Sequence, residues 1–161
     1  PYPTRAEERE ILERTTSNHS ATIQAVLGGP ALLAAQAAVR SLPVADTVYD
    51  YVLALTRGTR VRGDAPLPFL QELVSWGAGP RASQFLVLGA KAHAAVAGRD
   101  HVAIEDVRAV AHPVLRHRIV TTFAAAAEGI TSDRIVDRLL AEVDPAAGVG
   151  QGQPGLAQKR A

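Results

Sequence analysis

Hydrophobic residues recur at three- and four-residue steps along most of the chain, which is the period of one buried helix face. The segments with this pattern are residues 4–14, 30–41, 46–59, 80–97, 104–112 and 131–143. No segment of four to eight residues alternates cleanly between turns, although short strands stay open around residues 99–103 and 118–122. The pattern therefore predicts an all-α fold, a helical bundle.

The predicted helix over residues 80–97 is the central one. Pro80 stands at the first helical position, where its missing N–H is not needed, and Gly98 follows the end, where a left-handed residue is favoured. Its apolar stripe consists of Ala82, Phe85, Leu86, Gly89, Ala92, His93 and Val96. Arg81 lies in the first turn, beside the free N–H groups that suit an anion and above all a phosphate. The alternative for Arg81 is an ordinary surface arginine.

The other segments differ in regularity. Residues 15–29 are predicted to be a connection, and residues 60–76 a loop with one short turn at 69–74. We expect the first helix to turn Ile11 and Leu12 inward, and the alanine-rich helix over 30–41 to be packed closely on both sides. Pro113 should kink its helix or restart it before residues 114–119. Residues 146–161 are rich in Gly, Gln and Ala and predict a flexible tail after a domain over 1–145.

Composition narrows the classes of function. With 17 basic and 16 acidic residues, the net charge of +1 is no polyanion-binding signature. The absence of cysteine excludes disulfides and thiolate chemistry, and His112 and His117 do not share a helical face, so no metal site is expected. There is no signal peptide and no apolar run of about 18 residues, which favours a soluble cytosolic protein without membrane contact. The start at Pro1 indicates a fragment or a processed chain.

The stretch GAGPRASQFLVLGAKAHAAVAGRDHVAIEDVRAVAHPVLRHRI resembles the lid subdomain of MoxR-type AAA+ ATPases. Those proteins carry a GASPRA turn, followed by GRDYV, DV and VLRHR signatures in this order. The opening YPTRAEEREIL resembles the boundary at which the nucleotide-binding core of the family gives way to the lid, so the resemblance covers residues 2–144. Gly79 stands where the family usually has serine, which removes a side-chain cap and keeps the turn.

The resemblance implies a role for several residues. Arg81 would be the sensor-2 arginine, an auxiliary catalytic residue that touches the γ-phosphate of ATP bound in the core domain, with Gly79 and Pro80 forming its turn. Tyr2 would contact the nucleotide at the hinge between core and lid, and residues 1–15 would form this hinge and the first helix. Tyr51 would border the adenine. A tyrosine packed at a helix edge is the alternative for Tyr2 and for Tyr51.

A second group of residues belongs to the LRHR run. Arg116, His117 and Arg118 would contact the adjoining subunit of a ring. They could equally form a solvated helix end, where cations are favourable at the negative end of the helix dipole.

The resemblance also implies what this chain lacks. There is no GxxxxGK[ST] phosphate loop, and the acidic metal motif, the sensor-1 residue and the arginine finger would lie upstream, so these residues alone are not expected to hydrolyse ATP. The implied parent is an ATP hydrolase that uses ATP with Mg²⁺ held by its core. It would act as a chaperone in a ring of six subunits, with von Willebrand factor A domain proteins and client proteins as partners.

Two other functions stay open. Arg57, Arg60 and Arg62 form a local basic cluster, which is compatible with a helical nucleic-acid-binding domain. The balanced net charge and the lack of aromatic residues among these arginines make nucleic acid the less favoured partner. A helical adaptor that binds a protein without any nucleotide dependence is the other alternative.

Overall fold

A computed structural model describes residues 2–18, 23–63 and 65–145, and the structural statements below refer to these residues. The predicted tail over 146–161 lies outside them. The chain divides into two compact units, Pro1–Ala34 and Ala35–Ala161, and the second contains the hydrophobic core.

The described residues form helices joined by short connections, with one small sheet, so the predicted all-α class is confirmed. The α-helices are α1 (Arg5–Thr16), α2 (Gly29–Ser41), α3 (Asp46–Gly58), α4 (Pro80–Val96), α5 (Ile104–Leu115), α6 (Phe123–Ala127) and α7 (Ser132–Glu142). A 3-10 turn covers Pro68–Leu70, and the strands are β1 (Val74–Trp76) and β2 (Val120–Thr121).

The helix ends follow from local sequence chemistry. Thr4 and Glu7 form a capping box at the start of α1, in which each side chain accepts from the other residue's backbone N–H. Gly98 has φ +72° after α4, and the N–H of Arg99 donates to the carbonyl of Ala94 at 2.9 Å, as in a Schellman motif. The predicted left-handed glycine after the central helix is confirmed.

Helix α4 packs mainly against α5, and its side toward the core is built from small residues. Its fully buried residues are Ala82, Leu86, Ala90 and Ala94. The predicted stripe is therefore wrong at Phe85 and Val96, which are 45% and 91% exposed. Three of the four buried residues are alanines, and their small side chains allow α4 to lie close to its neighbours. A Cβ on Gly89 would lie 3.3 Å from Val110.

The sheet corrects the prediction for residues 60–76. Strand β1 falls in the stretch expected to be a loop and pairs antiparallel with β2, which falls within 118–122, where a strand was left open. An isolated parallel bridge joins Val44 to Val102, inside the other open stretch. Strands of two or three residues are too short to show the alternation by which a strand is recognised.

Pro113 does not restart the helix. Helix α5 runs through it to Leu115, so the separate helix expected over 114–119 does not form beyond that residue. Proline removes only the N–H that would reach the carbonyl of Ala109, and both residues are exposed. Water can therefore satisfy the free carbonyl, and the helix continues.

Helices α1 and α2 do not bury the residues expected to face inward. Neither contains a buried residue, and Ile11 and Leu12 are 48% and 57% exposed. A helix buries its apolar side only where a second element covers it. The period of the sequence does not reveal whether such an element is present.

Candidate functional site

Arg81 lies in the first turn of α4, directly after Pro80, and its side chain is exposed. Gly79 is the N-cap residue and supplies no side-chain hydrogen bond, and the first turn contains no acidic residue. Within the described residues, no hydrogen bond, ion pair or ring contact involves the Arg81 side chain. A cation at the positive end of a helix dipole is unfavourable unless an anion is present. Among the described residues the Arg81 guanidinium is thus exposed and without a partner, at a place where an anion would be favoured.

The backbone before Arg81 is held by the end of α3. The buried Thr59 hydroxyl accepts the Ala78 N–H at 2.8 Å and donates to the carbonyl of Thr56 at 2.7 Å. Arg60 donates its Nε–H to the carbonyl of Ala78 at 2.9 Å. Both backbone polar groups of Ala78, a residue with no exposed surface, thus have a side-chain partner from consecutive residues.

Gly77 is required by the same packing. A Cβ at this position would lie 2.1 Å from the carbonyl oxygen of Thr59 and 2.5 Å from its carbon. Both neighbours are backbone atoms, so they cannot rotate away. At Gly79, by contrast, a Cβ would meet nothing within 4 Å. The first glycine of the turn is therefore fixed by close backbone approach, and the second tolerates the serine that the family usually has.

A further contact joins the first turn of α4 to α3. The hydroxyls of Thr56 and Ser83 are 2.9 Å apart, and Thr56 is fully buried. We call residues 56–60 and 77–83 together the α3–α4 junction. An open groove of about 420 Å³ borders it, lined by residues 60–63 and 75–80. The junction thus gives Arg81 a firm base beside a concave surface.

The two tyrosines with proposed nucleotide contacts lie in different surroundings. Tyr51 is 1% exposed, and its hydroxyl accepts from Arg108 Nη1 at 2.9 Å. Tyr51 is thus packed in the core, and its contact with adenine stays a prediction. Tyr2 is 99% exposed in the first unit, where its role at a hinge stays a prediction.

The LRHR run is largely engaged within the chain. Arg118 donates to the carbonyl of Val114 at 2.6 Å and lies over the ring of Phe85, 5.1 Å from its centroid. Arg116 pairs with Asp133 at 3.1 Å, and His117 is exposed. These contacts describe a helix end closed by cations. The subunit interface proposed for Arg116, His117 and Arg118 stays a prediction.

A buried ionic cluster at the other end of α4 was not foreseen from the sequence. Asp106 has no exposed surface and accepts from Arg99, from the N–H of Ala103 at 2.9 Å and from His93 Nδ1 at 2.6 Å. Burial alone would raise the pKa of Asp106, but the hydrogen bonds from His93, Ala103 and Arg99 outweigh it and lower the pKa. His93, expected on the apolar stripe, instead donates to this carboxylate with its side chain 47% exposed.

The histidines in the described residues do not form a metal site. His112 lies between α5 and α7, with Nδ1 3.0 Å from Asp133 and Nε2 2.9 Å from Asp137. No group of three or more His, Cys, Asp or Glu in the described residues is arranged to hold a metal ion. His112 therefore joins α5 to α7 through its contacts with two carboxylates.

The basic cluster expected for nucleic acid is not freely presented. Arg57 and Arg60 are half-buried, and Arg60 donates its Nε–H to the Ala78 carbonyl. Only Arg62 of the three is fully on the surface. Phosphate contacts along a nucleic acid need several exposed cations, so this arrangement does not favour that function. In the part of the chain that the structure describes, no helix is long and apolar enough to cross a membrane.

Comparisons with known proteins identify a matching family and two relatives. The model of the AAA lid domain family matches residues 70–139, which include Arg81 and the whole of α4. The chaperone MoxR1 of Mycobacterium tuberculosis is 34% identical over 142 residues, 88% of this chain and 37% of the relative. The uncharacterized protein YeaC of Bacillus subtilis is 27% identical over 143 residues, 88% of this chain and 42% of the relative.

A solved structure has the same fold. The crystal structure of a candidate ATPase from Cytophaga hutchinsonii superposes with a TM-score of 0.72 at 28% identity, covering 89% of this chain and 44% of the other. The chain thus spans about two fifths of the length of the proteins it matches. It carries an AAA lid domain. With the relationship to MoxR1 extending over most of its length, this lid belongs to the MoxR family of AAA+ proteins.

Sequence reasoning found Arg81 but not the residues that hold it. No sequence pattern points to Thr56 or Thr59, and the sequence suggests Arg60 only as part of a basic cluster. Arg60 and Ala78 are 18 positions apart, and no local pattern shows that their backbones meet. The available signal in the sequence was the glycine at position 77, since a glycine is often found where a second backbone approaches closely.

Proposed function

We propose that this domain is the lid of an ATP-hydrolysing MoxR-type protein and that Arg81 is its sensor-2 arginine. In this proposal ATP lies in a core domain of the same protein, with its Mg²⁺ held there, and the Arg81 guanidinium binds the γ-phosphate. Arginine suits this contact because its planar donors match phosphate oxygens in pairs. After hydrolysis and phosphate release the contact is lost.

The observation that carries the proposal is the state of Arg81. It is exposed, it has no partner among the described residues, and it lies at the positive end of a helix whose first turn has no acid. A bound phosphate would remove the unfavourable charge arrangement. The relative named as a chaperone and the structure described as a candidate ATPase support the part of the proposal that assigns the domain to an ATP-hydrolysing protein.

The packing of α4 suggests how the contact is converted into motion. The helix contacts both α3 and α5 through small buried residues, so these elements move together with Arg81. Because the contact with phosphate exists in only one nucleotide state, it shifts the population of lid positions. In this proposal the shift passes to neighbouring subunits of a ring and to client and von Willebrand factor A domain partners.

The test is ATP turnover in the natural protein that contains these residues. Arg81→Ala should lower turnover roughly ten- to hundredfold, as expected for the loss of a hydrogen-bonded charge contact. Arg134→Ala is the matched control, since Arg134 is also an exposed arginine in the first turn of a helix, α7. Turnover of the Arg134 variant should equal that of the wild type. Unchanged turnover in the Arg81 variant would show that the sensor assignment is wrong.

A further inference from the structure

The last turn of α3 reaches the segment that carries Arg81 at several points. Thr59 and Arg60 bind the N–H and the carbonyl of Ala78, and Thr56 meets Ser83 one turn into α4. These contacts surround Arg81 in sequence, with Ala78 before it and Ser83 after it. The direction of the Arg81 side chain therefore depends on the position of α3.

Among these contacts, the one from Arg60 stands out. Thr56 and Thr59 are fully buried, and their hydroxyls also bond the carbonyls of Val52 and Thr56, within α3 itself. Among the described residues, the Arg60 side chain forms a hydrogen bond with Ala78 alone. Arg60 is half-buried, so its long stem packs while its Nε–H is aimed at one carbonyl. Its removal would free that carbonyl without altering the internal bonds of α3.

We infer that Arg60 is a positioning residue for Arg81. By fixing the carbonyl of Ala78 it sets the backbone of residues 77–79, and hence the start of α4 and the direction in which Arg81 points. Thr59 holds the preceding peptide, through the N–H of Ala78. This inference rests on the proposed function, because it assigns Arg60 an effect on ATP turnover that is exerted only through Arg81.

A double-mutant cycle in the natural protein tests the inference. Arg60→Ala should lower ATP turnover roughly two- to tenfold, the size expected for one hydrogen bond. In the Arg81→Ala background the same change should have no further effect, because there is no guanidinium left to position. Arg60→Met is the second variant. It keeps an unbranched apolar side chain but no donor, so it should reproduce the loss even if truncation to alanine harms folding.

The outcomes separate the two proposals. Equal losses from the Arg60 variants with and without Arg81 would overturn the positioning role, because a purely structural effect does not depend on Arg81. Full turnover in both Arg60 variants, together with a loss in Arg81→Ala, would overturn it and leave the sensor assignment intact. Full turnover in Arg81→Ala would overturn both. Arg134→Ala serves again as the control and should change turnover in neither background.

Discussion

An arginine lies at each end of α4, and the two arginines differ in whether the chain supplies a partner for them. At the C-terminal end, Arg99 pairs with the buried carboxylate of Asp106, which also binds His93 and the N–H of Ala103. At the N-terminal end, Arg81 has no partner among the described residues and no acid in its turn. One end is satisfied by the chain itself, and the other is left open.

This difference distinguishes charged residues with a structural role from those with a functional role in the domain. The partners of a buried carboxylate have a structural role, since an unpaired charge in the core would destabilise the fold. An exposed cation at the positive end of a helix dipole gains nothing locally. Its placement makes sense when the partner comes from outside, which is the basis of the sensor assignment.

The largest effect on stability is expected from Asp106→Asn. Breaking a buried ion pair typically costs 3–5 kcal/mol, and we expect about 3 kcal/mol here because Arg99 and His93 keep some access to water. Urea denaturation measures the change. Asp100→Asn is the matched control, because Asp100 also pairs with a histidine but its side chain is 96% exposed. A loss below about 1 kcal/mol for Asp106→Asn would mean that the satisfied end does not stabilise the fold.

At the open end, Gly77→Ala should be destabilising by about 1–3 kcal/mol, as for an overpacked site. The added Cβ would lie 2.1 Å from the Thr59 carbonyl oxygen, so the backbone of α3 or of the turn must move. Thermal unfolding measures the effect, and Gly79→Ala, which meets nothing within 4 Å, is its control. Equal melting temperatures for the two variants would contradict the close approach at Gly77.

The satisfied end also predicts a pH dependence. The pKa of Asp106 in the folded chain is below its ordinary value of 3.8, so the unfolded chain binds a proton more readily. The stabilisation is fully present above that value and is lost as the pH falls through it toward the folded pKa. The difference in free energy of unfolding between wild type and Asp106→Asn should therefore shrink in acid. Denaturation at pH 7 and pH 3 checks this, and a constant difference would contradict it.

The smallest effect is expected from Gly79→Ser. Serine at the N-cap can accept from the free N–H groups of the first turn, and relative to glycine this is worth a few tenths of a kcal/mol. The cap region is open, so no clash offsets the gain. Thermal unfolding should show a slightly higher melting temperature, and a lower one would show that the turn needs glycine at both positions.

The sequence could predict what depends on local chemistry. Capping at Thr4, the proline start of α4 and the glycine after it are all short-range signals, and the structure confirms them. The resemblance led to Arg81 in the same way, from a short motif. The Asp106 cluster and the α3–α4 junction depend instead on which distant segments meet. A carboxylate buried in α5 looks like any first-turn acid until its partners from α4 are known.

The most direct test of the Arg81 assignment is the affinity of the natural protein for two nucleotides. If Arg81 binds the γ-phosphate, Arg81→Ala should weaken binding of a non-hydrolysable ATP analogue roughly tenfold or more and leave binding of ADP unchanged. Isothermal titration calorimetry measures both affinities in wild type and variant. Equal losses for the two nucleotides, or none for either, would contradict the assignment of the open end of α4 to the γ-phosphate.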